Sequence, residues 1–120
     1  MSVVTTILVL AVAAIHVYIL VLEMFLWRTE RGRRSFGTDQ AFADQSATLA
    51  ANQGLYNGIL AAGLVWGAVA ADPVGFQVKL FFLGAVAIAG LYGAATVNRR
   101  ILFVQTVPAV VALVVVLLAR

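Results

Sequence analysis

The chain has 120 residues, 63% of them hydrophobic, a formal net charge of +3, one histidine and no cysteine. Soluble domains are about 45–50% apolar, and a chain this short cannot hide such an excess in one core. The lack of cysteine excludes disulfides and thiolate metal sites, and the basic residues gather at the ends of apolar runs, which excludes a nucleic-acid-binding face.

The first apolar run, Val4 to Trp27, predicts a membrane-spanning helix. It has no basic leader and exceeds the about 7–15 apolar residues of a signal peptide, so it is expected to be retained. Arg28, Arg31, Arg33 and Arg34 end it, and the stretch from Arg28 to Gly37 reads as a loop. The second helix is expected to start near Asp39, project from the membrane and cross it over Thr48–Ala71; an interfacial amphipathic segment is the alternative for its first turns. Asp72 as N-cap and Pro73 at the first helical position open a third helix that runs to Val97. The short turn Asn98-Arg99-Arg100 returns the chain antiparallel into a fourth helix, Ile101–Leu118, kinked at Pro108 so that Gln105 faces inward.

The expected fold is therefore all-α: a single-domain integral membrane four-helix bundle of up-down topology, with helices over about 4–27, 39–71, 73–97 and 101–118. The first connection carries four arginines and the third carries Arg99 and Arg100, whereas Lys79 is the one basic residue near the second. The positive-inside rule puts the first and third connections in the cytoplasm and both termini outside, in a multi-pass protein of the cell (inner or plasma) membrane.

Placed by depth at about 1.5 Å per residue, the polar residues fall in the cytoplasmic half of the bilayer or at its midplane. His16 and Glu23 are seven residues apart on helix 1, within about 20° of one another around the axis. Asn52, Gln53, Tyr56 and Asn57 fill one wedge of helix 2, opposite a Gly54, Gly58, Ala62 ridge suited to close packing. Tyr92 and Thr96 on helix 3 and Gln105 on helix 4 complete the set.

Ionisable groups inside a membrane mark function more often than packing. His16 and Glu23 are the candidate catalytic, proton-handling pair, because histidine titrates near neutrality and burial raises a carboxyl toward it. Glu23 is expected to be protonated or to reach toward Arg28. Asn52, Gln53, Tyr56, Asn57, Tyr92, Thr96 and Gln105 are the candidate ligand-binding residues, with interhelical bonding as their structural alternative. No metal site is expected, since zinc takes three or four His, Cys or carboxylate ligands and His16 and Glu23 stand about 10 Å apart along the axis. The sequence points to no particular cofactor.

Three uses fit this pattern. One is a cofactor-independent enzyme, an isomerase or oxidoreductase acting on a small lipophilic substrate. The others are a proton-coupled transporter or exporter and an accessory subunit of a larger membrane complex. Expected partners are the lipid bilayer, a small lipophilic or polar molecule, and further copies of the chain or a larger complex, but no nucleic acid.

HVYILVLEMFLW, NQGLYNGILAAGL, GLYGAAT and QTVPAVVAL resemble the small membrane proteins grouped as domain of unknown function 1304, over nearly the whole chain. The resemblance implies a four-helix membrane protein of this size and brings no activity with it. The architecture is also distantly similar to four-helix proteins of the DoxX and DoxD kind, which are linked to redox and quinone chemistry.

Overall fold

The computed structural model describes residues 3–120; Met1 and Ser2, part of the expected single domain, lie outside the described residues. The described chain is all-helical: α1 (Val3–Met24), α2 (Glu30–Phe36), α3 (Gln40–Val69), α4 (Val74–Thr96), and a π-helical turn, Leu102–Thr106, that runs into α5 (Val107–Leu118). It divides into two compact units, one of residues up to Ile15 with Leu60–Arg120, the other of His16–Ile59.

In the first unit, four helical segments share one core. The first half of α1 supplies Val9, Val12 and Ala13, and the end of α3 supplies Ala61 and Leu64. Leu83, Val86 and Ala87 come from α4, and Ala109, Ala112 and Val116 from α5. The many alanines let the backbones approach closely, the mode of packing that helices use where apolar burial alone does not drive them together.

The α4 helix begins at Val74 with Pro73 at the cap position, one residue later than the expected Asp72 cap and Pro73 start, while the Asp72 carboxylate accepts from the Phe76 N–H at 3.1 Å. The last helix is not a plain α-helix bent at its proline. Val107 N–H bonds to the Leu102 carbonyl five residues back, which widens the turn just before Pro108. Pro108 has no N–H to donate, and its ring would press on the carbonyl four residues earlier; the wider turn relieves that clash. Gln105 in this turn is half-buried, while its neighbour Thr106 is buried and donates to the Ala87 carbonyl at 3.1 Å.

In the second unit, α1 ends at Met24 rather than at Trp27. Phe25 and Leu26 both donate to the Val21 carbonyl, closing the helix. The Trp27 indole then turns to donate to Ser46 Oγ at 3.0 Å and packs on Phe36, ring centroids 4.9 Å apart. The stretch expected as a loop holds a helix, α2. Thr29 caps its start by accepting from Gly32 N–H, and Gly37 ends it in the left-handed conformation (φ 68°) that glycine takes without a Cβ clash.

The α3 helix starts at Gln40, with the Asp39 carboxylate accepting from Phe42 N–H at 2.8 Å. Its 30 residues extend about 45 Å, longer than the about 30 Å hydrocarbon core of a bilayer.

α1 and α4 are long and apolar enough to cross a membrane, and the 17 residues of Leu102–Leu118 form a shorter apolar helix. Only 28% of the apolar stretch of α1 and 39% of that of α4 are buried, whereas the core helix of a soluble protein is mostly covered. Phe81, Ile88 and Leu91 of α4 and Val17 of α1 all stand exposed.

Candidate functional site

The second unit brings together part of the expected site. Gly54 and Gly58 of α3 face Leu20, Glu23 and Met24 of α1; a Cβ at Gly54 would collide with Met24 Cγ and lie 3.3 Å from the Leu20 carbonyl oxygen. This ridge lets the two helices approach closely enough for a short side-chain bond. The Asn57 amide donates to Glu23 Oε1 at 2.6 Å, between side chains that are both partly buried. Glu23 is thus held by Asn57 and not drawn to Arg28, which pairs with Asp44 at 3.5 Å.

His16, on the same face of α1 as Glu23, is fully buried. Asn52, Gln53 and Tyr56 are exposed in the single chain, on the flank of α3 away from the glycines. In the first unit, Tyr92 and Thr96 are exposed, and the Thr96 hydroxyl donates to the Tyr92 carbonyl at 2.7 Å, back along its own helix. Gln105 sits in the π-helical turn.

Chemically, the arrangement around Glu23 is a carboxyl with one oxygen fixed by an amide N–H and the other outside that bond. It can take or give a proton while staying oriented. Among the described residues, no three His, Cys, Asp or Glu side chains stand close enough to share a metal ion.

A cavity of about 420 Å³ in this unit lies among Tyr18, Glu30, Arg31, Arg34 and Ser35. The Arg31 guanidinium stands 5.9 Å over the Tyr18 ring, and Arg34 is paired with Glu30 one turn back.

By sequence Lys79 is a charge near the connection between the second and third helices. The structure buries it in the first unit, 2% exposed, with Nζ donating to the Gly67 carbonyl at 3.2 Å. Its position on the second turn of an apolar helix was a visible signal; its partner on α3 was not.

Fold and geometry define an all-helical protein with two helices able to cross a bilayer and an amide-held carboxyl at the α1–α3 contact. The chain belongs to the family described as "Protein of unknown function (DUF1304)", whose model matches residues 10–117. It is 32% identical over 116 residues to the "Uncharacterized protein YpaA" of Lactococcus lactis subsp. lactis (strain IL1403), covering 95% of this chain and 97% of that one. No solved structure matches the chain.

Proposed function

We propose that the chain is a multi-pass protein of the cell membrane, crossing the bilayer four times. In this reading Glu23 is the acid–base centre of a site for a small lipophilic molecule in the cytoplasmic leaflet. The observation that carries it is the 2.6 Å bond from Asn57 to Glu23 Oε1. Glu23 lies in the last turn of α1, one residue before its end, where an acidic side chain still carries a desolvation cost if the helix spans the bilayer. A lipid-exposed helix keeps such a group, and spends an amide on orienting it, where the group has work to do.

The work that fits is proton transfer of the isomerase kind. Glu23 takes a proton from one atom of the substrate and returns it to another, so the step balances without a cofactor. His16, about 10 Å further along the same face, is the group that exchanges that proton onward. Asn52, Gln53 and Tyr56 lie on the open side of α3, where a molecule dissolved in the leaflet arrives and presents its polar group.

The exposure of those same amides favours a second reading, proton-coupled carriage in an assembly of copies that enclose a polar path. The two are separated by one set of proteins. Wild type, Glu23→Gln and His16→Ala are purified with native lipid extract, and bound or converted species are identified by mass spectrometry in heavy water. Isomerase chemistry places solvent deuterium in a product; carriage gives flux driven by a pH gradient in proteoliposomes with no label incorporated. If both variants fold and keep the wild-type bound species and turnover, the Glu23 site is wrong in either form.

A further inference from the structure

Gln45, Thr48, Asn52, Leu55 and Ile59 of α3 are spaced by three and four residues in turn, the a-d-a-d-a pattern of a heptad. They fall within a wedge of about 80° and run along about 21 Å of the helix. All of them are exposed in the single chain, Leu55 and Ile59 by 52% each. Ala50 and Asn57, at the f positions of this register, lie on the opposite side. There Ala50 is buried and Asn57 bonds to Glu23. The seam therefore points away from the α1 contact.

The residue types fit one partner. A β-branched residue at a with leucine at d favours two parallel strands, and a polar Asn at an a position specifies register and oligomer state. Here Asn52 and Ile59 stand at a and Leu55 stands at d. Among the described residues, nothing bonds to the Asn52 side chain. A carboxamide offers both N–H donors and a carbonyl acceptor, so it is complementary to its own copy across a two-fold axis.

Where α3 crosses the bilayer, lipid supplies no partner for that amide, and a second Asn52 at the same depth does. Copies inserted with the arginine-rich connection in the cytoplasm run α3 in the same direction, which makes the pair parallel. In that respect the inference rests on the membrane reading above.

We propose that α3 is a homodimer interface. Two copies pack in parallel along Gln45, Thr48, Asn52, Leu55 and Ile59, and the two Asn52 amides bond to one another across the axis. The pairing assigns Asn52 to the second copy. It leaves Tyr56 at the border of the seam and Gln53 beyond it, where a ligand still reaches them.

The test uses the full-length protein in liposomes of phosphatidylethanolamine and phosphatidylglycerol. The chain has no native cysteine, so single-cysteine variants from Gln45 to Ile59 are oxidised with copper phenanthroline and run on SDS gels. Disulfide-linked dimer should peak at Gln45, Thr48, Asn52, Leu55 and Ile59 and fall to background at Ala50, Gln53 and Asn57. Leu55→Cys against Gln53→Cys, two exposed positions, decides the matter where a variant such as Gly54→Cys does not fold. In the second arm, Förster transfer between labelled copies is followed on dilution into excess lipid. Asn52→Leu should associate about tenfold more weakly than wild type.

Cross-linking that is equal around the helix, peaks on another face or is absent overturns the proposal. So does Asn52→Leu association as tight as wild type or tighter. Linkage of the seam cysteines to a different protein in native membranes, with no self-linked dimer, gives the seam to that partner and overturns it too. Carbonate extraction separates the two failures. Release of the chain by carbonate overturns the membrane reading, whereas a retained chain without the periodic cross-linking overturns only the dimer.

Discussion

Asn57 and Glu23, 34 residues apart in sequence, are joined by a hydrogen bond of 2.6 Å where α3 and α1 approach over Gly54 and Gly58. Neither residue is fully covered, yet each removes the other's cost. The amide gives the carboxyl a donor, and the carboxyl gives the amide an acceptor, which matters most if the pair lies in hydrocarbon.

The bond predicts a measurable coupling. Hydrogen bonds between membrane helices contribute about 0.6–2 kcal/mol, so Asn57→Leu should lower stability by that amount in SDS-titration unfolding. Glu23→Gln should cost less, because a glutamine carbonyl still accepts from Asn57. A double-mutant cycle of Glu23→Ala with Asn57→Leu that returns purely additive losses would show the bond contributes nothing.

Gly90 and Gly84 on α4 provide a contrast within one helix. A Cβ at Gly90 would collide with Thr106 Oγ1 and stand 2.8 Å from the Thr106 backbone nitrogen, whereas at Gly84 nothing lies within 4 Å. Gly90→Ala must push α4 off the π-helical turn and strain the Thr106 bond to Ala87. Overpacking of this kind costs about 1–3 kcal/mol. Gly84→Ala should be neutral or slightly stabilising, since alanine is the better helix former. Thermal unfolding in detergent compares the two directly, and equal melting temperatures would remove Gly90 from the packing argument.

Helix α2 depends on its two caps. Thr29→Ala removes the acceptor for Gly32 N–H, a loss of about 1 kcal/mol, and Gly37→Ala forces a Cβ into the left-handed region at about 1 kcal/mol. Each change should speed amide exchange across Glu30–Phe36 while leaving α4 untouched. Uniform exchange across both helices in the variants would instead tie α2 to the stability of the whole chain.

What the sequence revealed, and what it hid, follows from how local each signal is. Asp39 and Asp72 are legible as helix starts because a side-chain oxygen caps N–H groups only three or four residues away. The glycine ridge and the flank of Asn52, Gln53 and Tyr56 are legible as two sides of α3, but Asn57, expected with those three, lies beside the glycines and meets Glu23. That Asn57, rather than Gln53 or Asn52, meets Glu23 depends on the rotation of α3 against α1, which spacing does not encode. Four arginines within seven residues masked α2, although Thr29 and Gly37 bracket it with recognisable caps. Lys79 looked like a charge at the membrane boundary because its burial is set by Gly67, twelve positions away on another helix.

Orientation yields the last prediction. The connection after α1 carries Arg28, Arg31, Arg33 and Arg34, while Ala70–Pro73, between α3 and α4, carries no basic residue. Basic connections stay in the cytoplasm, so a chain whose α3 crosses the bilayer holds these two connections on opposite sides. The absence of native cysteine makes single-cysteine variants unambiguous. Ser35→Cys should resist a membrane-impermeant maleimide in intact cells and react after permeabilisation, whereas Ala71→Cys should react from outside. Ser35 and Ala71 are both exposed, so neither result turns on burial within the chain. Labelling of both from one side would mean that α3 does not cross, and with it the cytoplasmic-leaflet position of Glu23 would fall.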